Sequence, residues 1–233
     1  MKKLINNFHS AYLKSLVYGG LDGIVTTFAV VAGAAGANLA PHIALILGFA
    51  NLVGDAISMA FGDYTSSAAK KELEENQKQE EIKLLKQSPE RELEKIKDIY
   101  TKKGLEPEDA SKLATIVCKK RNVAIEIILS NLGIPHEKGS PVKMGLYTFI
   151  SFNCFGLIPL LSYVVKPLLH LSEKTSLILA CILTACALFF LGSLKSFFTR
   201  KSFIFSGLQM LGVGGFTATA AYFVGYFIAS LVH

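Results

Sequence analysis

Hydrophobic residues along this 233-residue chain gather in long blocks instead of alternating with polar ones. Four runs carry no Asp, Glu, Lys or Arg: Gly23–Gly54, Met144–Val165, Thr175–Leu194 and Ser202–Val232. A bilayer core needs roughly 20 apolar residues of helix, so each of the last three runs holds one span. The first run is long enough for most of two, broken at Gly36-Ala37-Asn38-Leu39-Ala40-Pro41. The pattern therefore predicts five transmembrane helices, over roughly 15–37, 43–67, 143–166, 174–195 and 203–231. The leading apolar stretch, Leu4–Phe8, is too short for the core of a cleavable signal peptide.

Between the second and third spans the pattern changes. Ala68–Gln87 is rich in Glu, Lys, Gln and Leu, all good helix formers. Ser88-Pro89-Glu90 restarts a helix, with Ser88 as its cap and Pro89 in its first turn. That helix places Leu93, Ile96, Ile99 and Tyr100 on one face and stops at Gly104. Glu106-Pro107-Glu108-Asp109 opens a third helix, its acids suited to the positive end of the dipole. It is expected to run through Leu113, Ile116 and Val117 to about Leu132, where Gly133-Ile134-Pro135 ends it. The predicted fold class is all-α: a polytopic membrane protein with five transmembrane helices and a cytoplasmic three-helix insert between helices 2 and 3. The parts are 1–67 (helices 1 and 2), 68–142 (the insert) and 143–233 (helices 3 to 5).

Charge refines this picture. Of the 42 charged residues, 30 lie between Lys70 and Lys143, 16 basic and 14 acidic. The net +6 is thus no footprint for nucleic acid, which calls for a one-signed patch. Lys2, Lys3 and Lys14 precede span 1, and Lys195, Arg200 and Lys201 join spans 4 and 5, whereas the opposite face shows only Lys166 and Lys174. The excess of short-loop cations predicts a cytoplasmic N-terminus and insert, with the C-terminus outside or lumenal. Cys118 falls in the charged segment and Cys154, Cys181 and Cys186 in spans, where reduced thiols are expected.

The chemistry lies in the acids that break the apolar runs. Asp22, Asp55 and Asp63 sit in the first two spans, where a carboxylate survives only facing a cavity, a partner or an ion. On a helix, Asn51, Asp55, Met59 and Asp63 are each four apart and form one stripe of oxygen and sulfur donors. Tyr18, Asp22 and Thr26 repeat the spacing on the first span. At a 1.5 Å rise per residue, Asp22 and Met59 each lie roughly 10–12 Å from the cytoplasmic ends of their spans, so an antiparallel pair can bring them to one level. A carboxylate with a thioether suits Fe2+, Co2+ or Mn2+ better than Mg2+ or Ca2+. The residues point to a cation path lined by Tyr18, Thr26 and Asn51.

The stretch from Asp22 to Gly33, with Asp22-Gly23, Thr26-Thr27-Phe28-Ala29 and Val31-Ala32-Gly33, resembles the first-span signature of the vacuolar iron transporter family. Ser58-Met59-Ala60-Phe61-Gly62-Asp63-Tyr64 resembles its second-span signature. Weaker similarities follow at Ser151-Phe152, Gly156-Leu157-Ile158-Pro159-Leu160, Gly207-Leu208-Gln209-Met210, Asp98-Ile99-Tyr100 and Lys103-Gly104-Leu105. The resemblance implies a homodimer in the lipid bilayer that moves Fe2+, or Mn2+, out of the cytosol in exchange for protons. It implies that Asp22 and Met59 bind the ion near the dimer axis, with Asp55 and Asp63 as further candidates. In the insert it makes Glu81 and Glu92 counterparts of family metal-binding glutamates. Leu84 and Lys95, however, occupy the places of two others, and a Met-Met-x-x-Glu-type cluster falls on Ile127, Ile128 and Asn131. Glu80, Glu94 and Glu126 stand as possible substitutes. The insert is accordingly expected to bind metal poorly.

Two rival classes frame this expectation. A non-transporting metal sensor or scaffold would keep the same fold and differ only in whether metal crosses the bilayer. A membrane-anchored di-iron oxidase would want paired Glu-x-x-His motifs. None occurs around His9, His42, His136, His170 or His233. No enzyme and no resident cofactor are expected; the expected partners are divalent metal ions, protons, lipid and a second copy.

Overall fold

Asn38 turns the chain between the first two long helices. The first, α1 (Ser10–Gly36), closes with the Leu39 amide donating to the Ala34 carbonyl at 2.9 Å, and Asn38 takes the left-handed conformation (φ 54°). Asn tolerates that conformation better than most residues, which ends the helix within a turn. Pro41 then starts α2 (Pro41–Gln87), a single 47-residue helix. The computed structural model describes residues 10–87, 89–132, 139–199 and 202–232. The expected cap at Ser88, the stop at Gly133-Ile134-Pro135 and the cations Lys2, Lys3, Arg200 and Lys201 lie outside them, as do His9, His136 and His233.

Among the described residues all regular structure is helical. After α2 come α3 (Pro89–Lys102), α4 (Pro107–Cys118), α5 (Arg121–Asn131), α6 (Pro141–Gly156), α7 (Ile158–Leu169), α8 (Glu173–Thr199) and α9 (Phe203–Val232). The chain divides into two compact units, residues 1–65 with 139–233, and residues 66–138.

In the first unit, Tyr12–Gly36, Pro41–Leu84 (which continues into the second unit), Glu173–Ser196 and Phe203–Val232 are each long and apolar enough to cross a membrane. The pair α6–α7, bent by 42°, makes a fifth if it is one span. The expected third span is therefore two helices. Pro159, in the first turn of α7, has no amide to continue the ladder, and the axis breaks at Leu157. Helix α1 is enclosed, packing against α6, α7, α8 and α9. Ile24, Phe28 and Val31 of α1 are buried, Ile24 with Leu188, Leu191 and Met210, the others with Leu52, Phe152 and Leu160. Two glycines set how close the neighbours come. A Cβ on Gly23 would collide with the Phe152 carbonyl of α6, and one on Gly36 with the Tyr222 carbonyl of α9. Helix α2 packs on one side only, through Leu52 and Ala56, while Ile46, Val53, Ile57 and Phe61 are exposed.

The second unit has its own core of Ile96, Ile99, Ala114, Ala124, Ile125, Ile128 and Leu129. Helix α3 ends as its glycine predicts: Gly104 has φ 96° and the Leu105 amide reaches the Tyr100 carbonyl at 3.1 Å. The expected third helix of the insert is broken in two at Lys119-Lys120, where Lys120 leaves helical geometry (φ −115°, ψ 82°). The break lets Ala124, Ile125, Ile128 and Leu129 join the core made by Ile96 and Ile99. Ile116 is 62% exposed, whereas Ala110 and Ala114 of the same helix are buried.

Candidate functional site

The site begins with a fastening at the start of α1. Oδ2 of Asp63 accepts hydrogen bonds from the Ser15 hydroxyl and the Thr148 hydroxyl, both at 2.6 Å. Both donors are buried, so one carboxylate oxygen ties α1, α2 and α6 together where no water competes. This pairing sets the antiparallel register of α1 and α2. Seven residues further along α1 stands Asp22, level with Ala56, seven residues back along α2. Asp55, next to Ala56 in the chain, therefore stands at about the same level as Asp22. Met59 lies about 4–5 Å further toward Asp63 along the axis, by the 1.5 Å rise per residue. Asp22 and Asp55, both half-buried, are thus two acids at about one level of the hairpin.

The remaining stripe residues have defined partners. The Asn51 side-chain amide donates to Asp55 Oδ2 at 2.8 Å, orienting that carboxylate from one turn away. Thr26 turns its hydroxyl onto the Asp22 carbonyl at 2.8 Å, so it serves the helix backbone. Met59 is half-buried against the core that includes Phe28, Val31 and Phe152. Tyr18 is 58% exposed. Among the described residues, no three of His, Cys, Asp and Glu converge as a metal cage. One copy of the hairpin offers a cation two carboxylates and a thioether, fewer donors than a transition metal normally collects from protein and water.

In the second unit, Glu81 of α2 and Glu92 of α3 are both buried, at 8% and 6% exposure. Glu81 is held by Lys95, whose ammonium lies 2.9 Å from each carboxylate oxygen. Glu92 has Oε1 sealed from solvent with no hydrogen-bond partner. Burial pushes the Glu92 carboxyl above its usual range, and the positive charge of Arg121 pulls it part of the way back. The Cys118 thiol is raised likewise, first by burial and then by the charge of Glu92. Leu84, where a glutamate was wanted, is exposed, and so is Asn131. Ile128 is in the core and Ile127 packs against it. Of the alternatives, Glu80, Glu94 and Glu126 are all exposed, Glu126 beside a cavity of about 270 Å3 with Lys78 and Asn122.

Sequence reasoning missed Ser15, Thr148, Asn51's orienting bond and the bidentate grip of Lys95. The first two carry no local signal, since their partner is 48 and 85 residues away. The Lys95 position was visible as a departure from the family pattern, though not the contact it makes.

The long apolar helices, one bent pair and two acids inside the first hairpin define an integral membrane protein whose regular structure, among the described residues, is helical. Residues 13–226 match the model of the VIT family, and the chain belongs to that family. It is 37% identical over 97% of its length to a vacuolar iron transporter of Toxoplasma gondii, covering 77% of that protein. It is 34% identical to a vacuolar iron transporter of Plasmodium falciparum, over 94% of this chain and 83% of the relative. With vacuolar iron transporter 1 of Arabidopsis thaliana the identity is 27%, over 90% and 83%. These relatives are named as transporters and not as enzymes.

Proposed function

We propose that this chain carries Fe2+ across a membrane, out of the cytosol and in exchange for protons, as a homodimer. The observation that carries the reading is that Asp22 and Asp55, both half-buried, stand at about one level of the α1–α2 hairpin, with Met59 one turn from Asp55 on the same stripe. Two acids at bilayer depth attract a divalent cation strongly, and a thioether favours Fe2+ over harder ions. Mn2+ is a second cargo the same donors can take. Metal binds the deprotonated carboxylates, so each proton arriving from the far side competes with the metal and helps release it.

The second copy completes the site. Gly54, Ser58 and Gly62 are exposed at four-residue spacing on α2, next to Asp55 and Met59, and nothing lies within 4 Å of where a Cβ on either glycine would stand. Small residues at this spacing let two membrane helices approach closely. Two copies meeting there would pool four carboxylates and two thioethers. Asp63, committed to Ser15 and Thr148, fastens the hairpin and is not itself a ligand.

The test is uptake of Fe2+ into proteoliposomes holding only this protein. Asp22→Asn should abolish uptake, and wild-type uptake should rise when the far side is made acidic. Full transport by a folded Asp22→Asn protein would remove the site. Flux indifferent to a pH gradient at zero membrane potential would remove the exchange.

A further inference from the structure

The insert holds two buried carboxylates, and one of them already has a cation of its own. Glu81 and Glu92 are both buried, yet no bound ion is needed to explain Glu81: the Lys95 ammonium bridges its two oxygens at 2.9 Å each. The Glu81 side chain is 11% exposed and that of Lys95 42%, so the acid is the buried partner and the ammonium reaches in from solvent. Glu92 stands three residues before Lys95, on the adjoining turn of α3. On the side of Glu92 the carboxylate is left incomplete, with Oε1 sealed and unpartnered. Gln77, one turn before Glu81 on α2, also keeps its amide oxygen sealed and without a donor. Buried acceptors without donors mark a place where a positive group belongs.

We infer that Lys95 is the resident cation of a latent divalent-metal site formed by Glu81 and Glu92, and that residue 95 decides whether the insert takes metal. A metal ion would have to displace an ammonium tethered on the neighbouring helix, whose effective concentration is on the order of millimolar. It would also have to overcome the repulsion of that ammonium and of Arg121, whose charge reaches Glu92. Withdrawing Lys95 without replacement would leave Glu81 as an uncompensated buried charge, which is strongly unfavourable. The wild-type insert is therefore complete without metal. Replacing the ammonium by a third carboxylate would leave oxygen donors alone at this place, the set a divalent cation prefers. The inference stands apart from the transport reading, since no residue of the α1–α2 carboxylate pair enters it.

The experiment uses the full-length protein in detergent with Co2+ as the probe. Hydrogen exchange of residues 77–100 in the wild type should be the same with and without saturating Co2+. Calorimetric titration of Lys95→Glu should show one more Co2+ per chain than wild type, and Lys95→Glu with Glu81→Gln should lose it. Protection of 77–100 by Co2+ in the wild type overturns the inference, because the metal then displaces Lys95 unaided. An unchanged Co2+ count in a folded Lys95→Glu protein overturns it equally. Should Lys95→Glu not fold, Lys95→Met, neutral and of similar length, must still render exchange in 77–100 sensitive to Co2+. Transport measured in parallel separates this outcome from any failure at Asp22.

Discussion

A single oxygen of Asp63 takes both buried hydroxyl donors, Ser15 and Thr148, and that concentration makes the residue vulnerable. Replacing it by Ala removes the acceptor of two short hydrogen bonds to a charged group, each worth about 1.5–3 kcal/mol. Asp63→Asn keeps an acceptor oxygen at the same place. We expect Asp63→Ala to lower the midpoint of unfolding in detergent markedly and Asp63→Asn to lower it much less. Equal losses would mean that the charge, and not the acceptor, matters. The contrast with Asp22 and Asp55 is chemical: those are two half-buried acids at about one level, whereas Asp63 accepts from two hydroxyls and is already satisfied. Four-residue spacing made these acids visible in sequence as one stripe. It could not rank them, because rank depends on partners brought in from α1 and α6.

At the level of elements, what could be read from sequence was whatever left a local chemical mark. The apolar runs located the long helices, Gly104 marked the end of α3, and the acids Glu108 and Asp109 marked the start of α4. The break at Lys119-Lys120 carries neither Gly nor Pro; it exists because Ile125, Ile128 and Leu129 must turn back onto Ile96, a tertiary demand. Pro159 did carry a mark, but inside an apolar run its effect is a bend, and length alone read the run as one straight span. Gly19, Gly20 and Gly23 let α6 approach α1 closely, but a glycine in a sequence does not name the helix that packs on it. Gly23→Ala should force the α1 and α6 backbones apart and cost about 1–3 kcal/mol as an overpacked contact. Gly212→Ala, on α9 with nothing within 4 Å of the added methyl, is the control and should be neutral or mildly stabilising. Thermal unfolding of the two variants side by side checks this.

On the scale of the whole molecule, the exposed face of α2 is the surface that remains to be covered. Ile46, Val53, Ile57 and Phe61 lie on it beside the open positions Gly54 and Gly62. Gly54→Leu with Gly62→Leu should leave the fold of one chain intact, since nothing lies within 4 Å of where either Cβ would stand, yet drive the proposed dimer apart in multi-angle light scattering. Iron uptake should fall with the dimer. A monomer that still transports would place the whole site within one copy.

The enclosure of α1 has a mechanical consequence. Its backbone abuts α6 at Gly23 and α9 at Gly36, so shifting it means prising apart contacts on two sides at once. Helix α2 is held on one side only. Within one chain, Asp22 is therefore mounted on the firmly gripped helix and Asp55 on the loosely held one, and whatever seats itself on the open face of α2 also sets how firmly Asp55 is held.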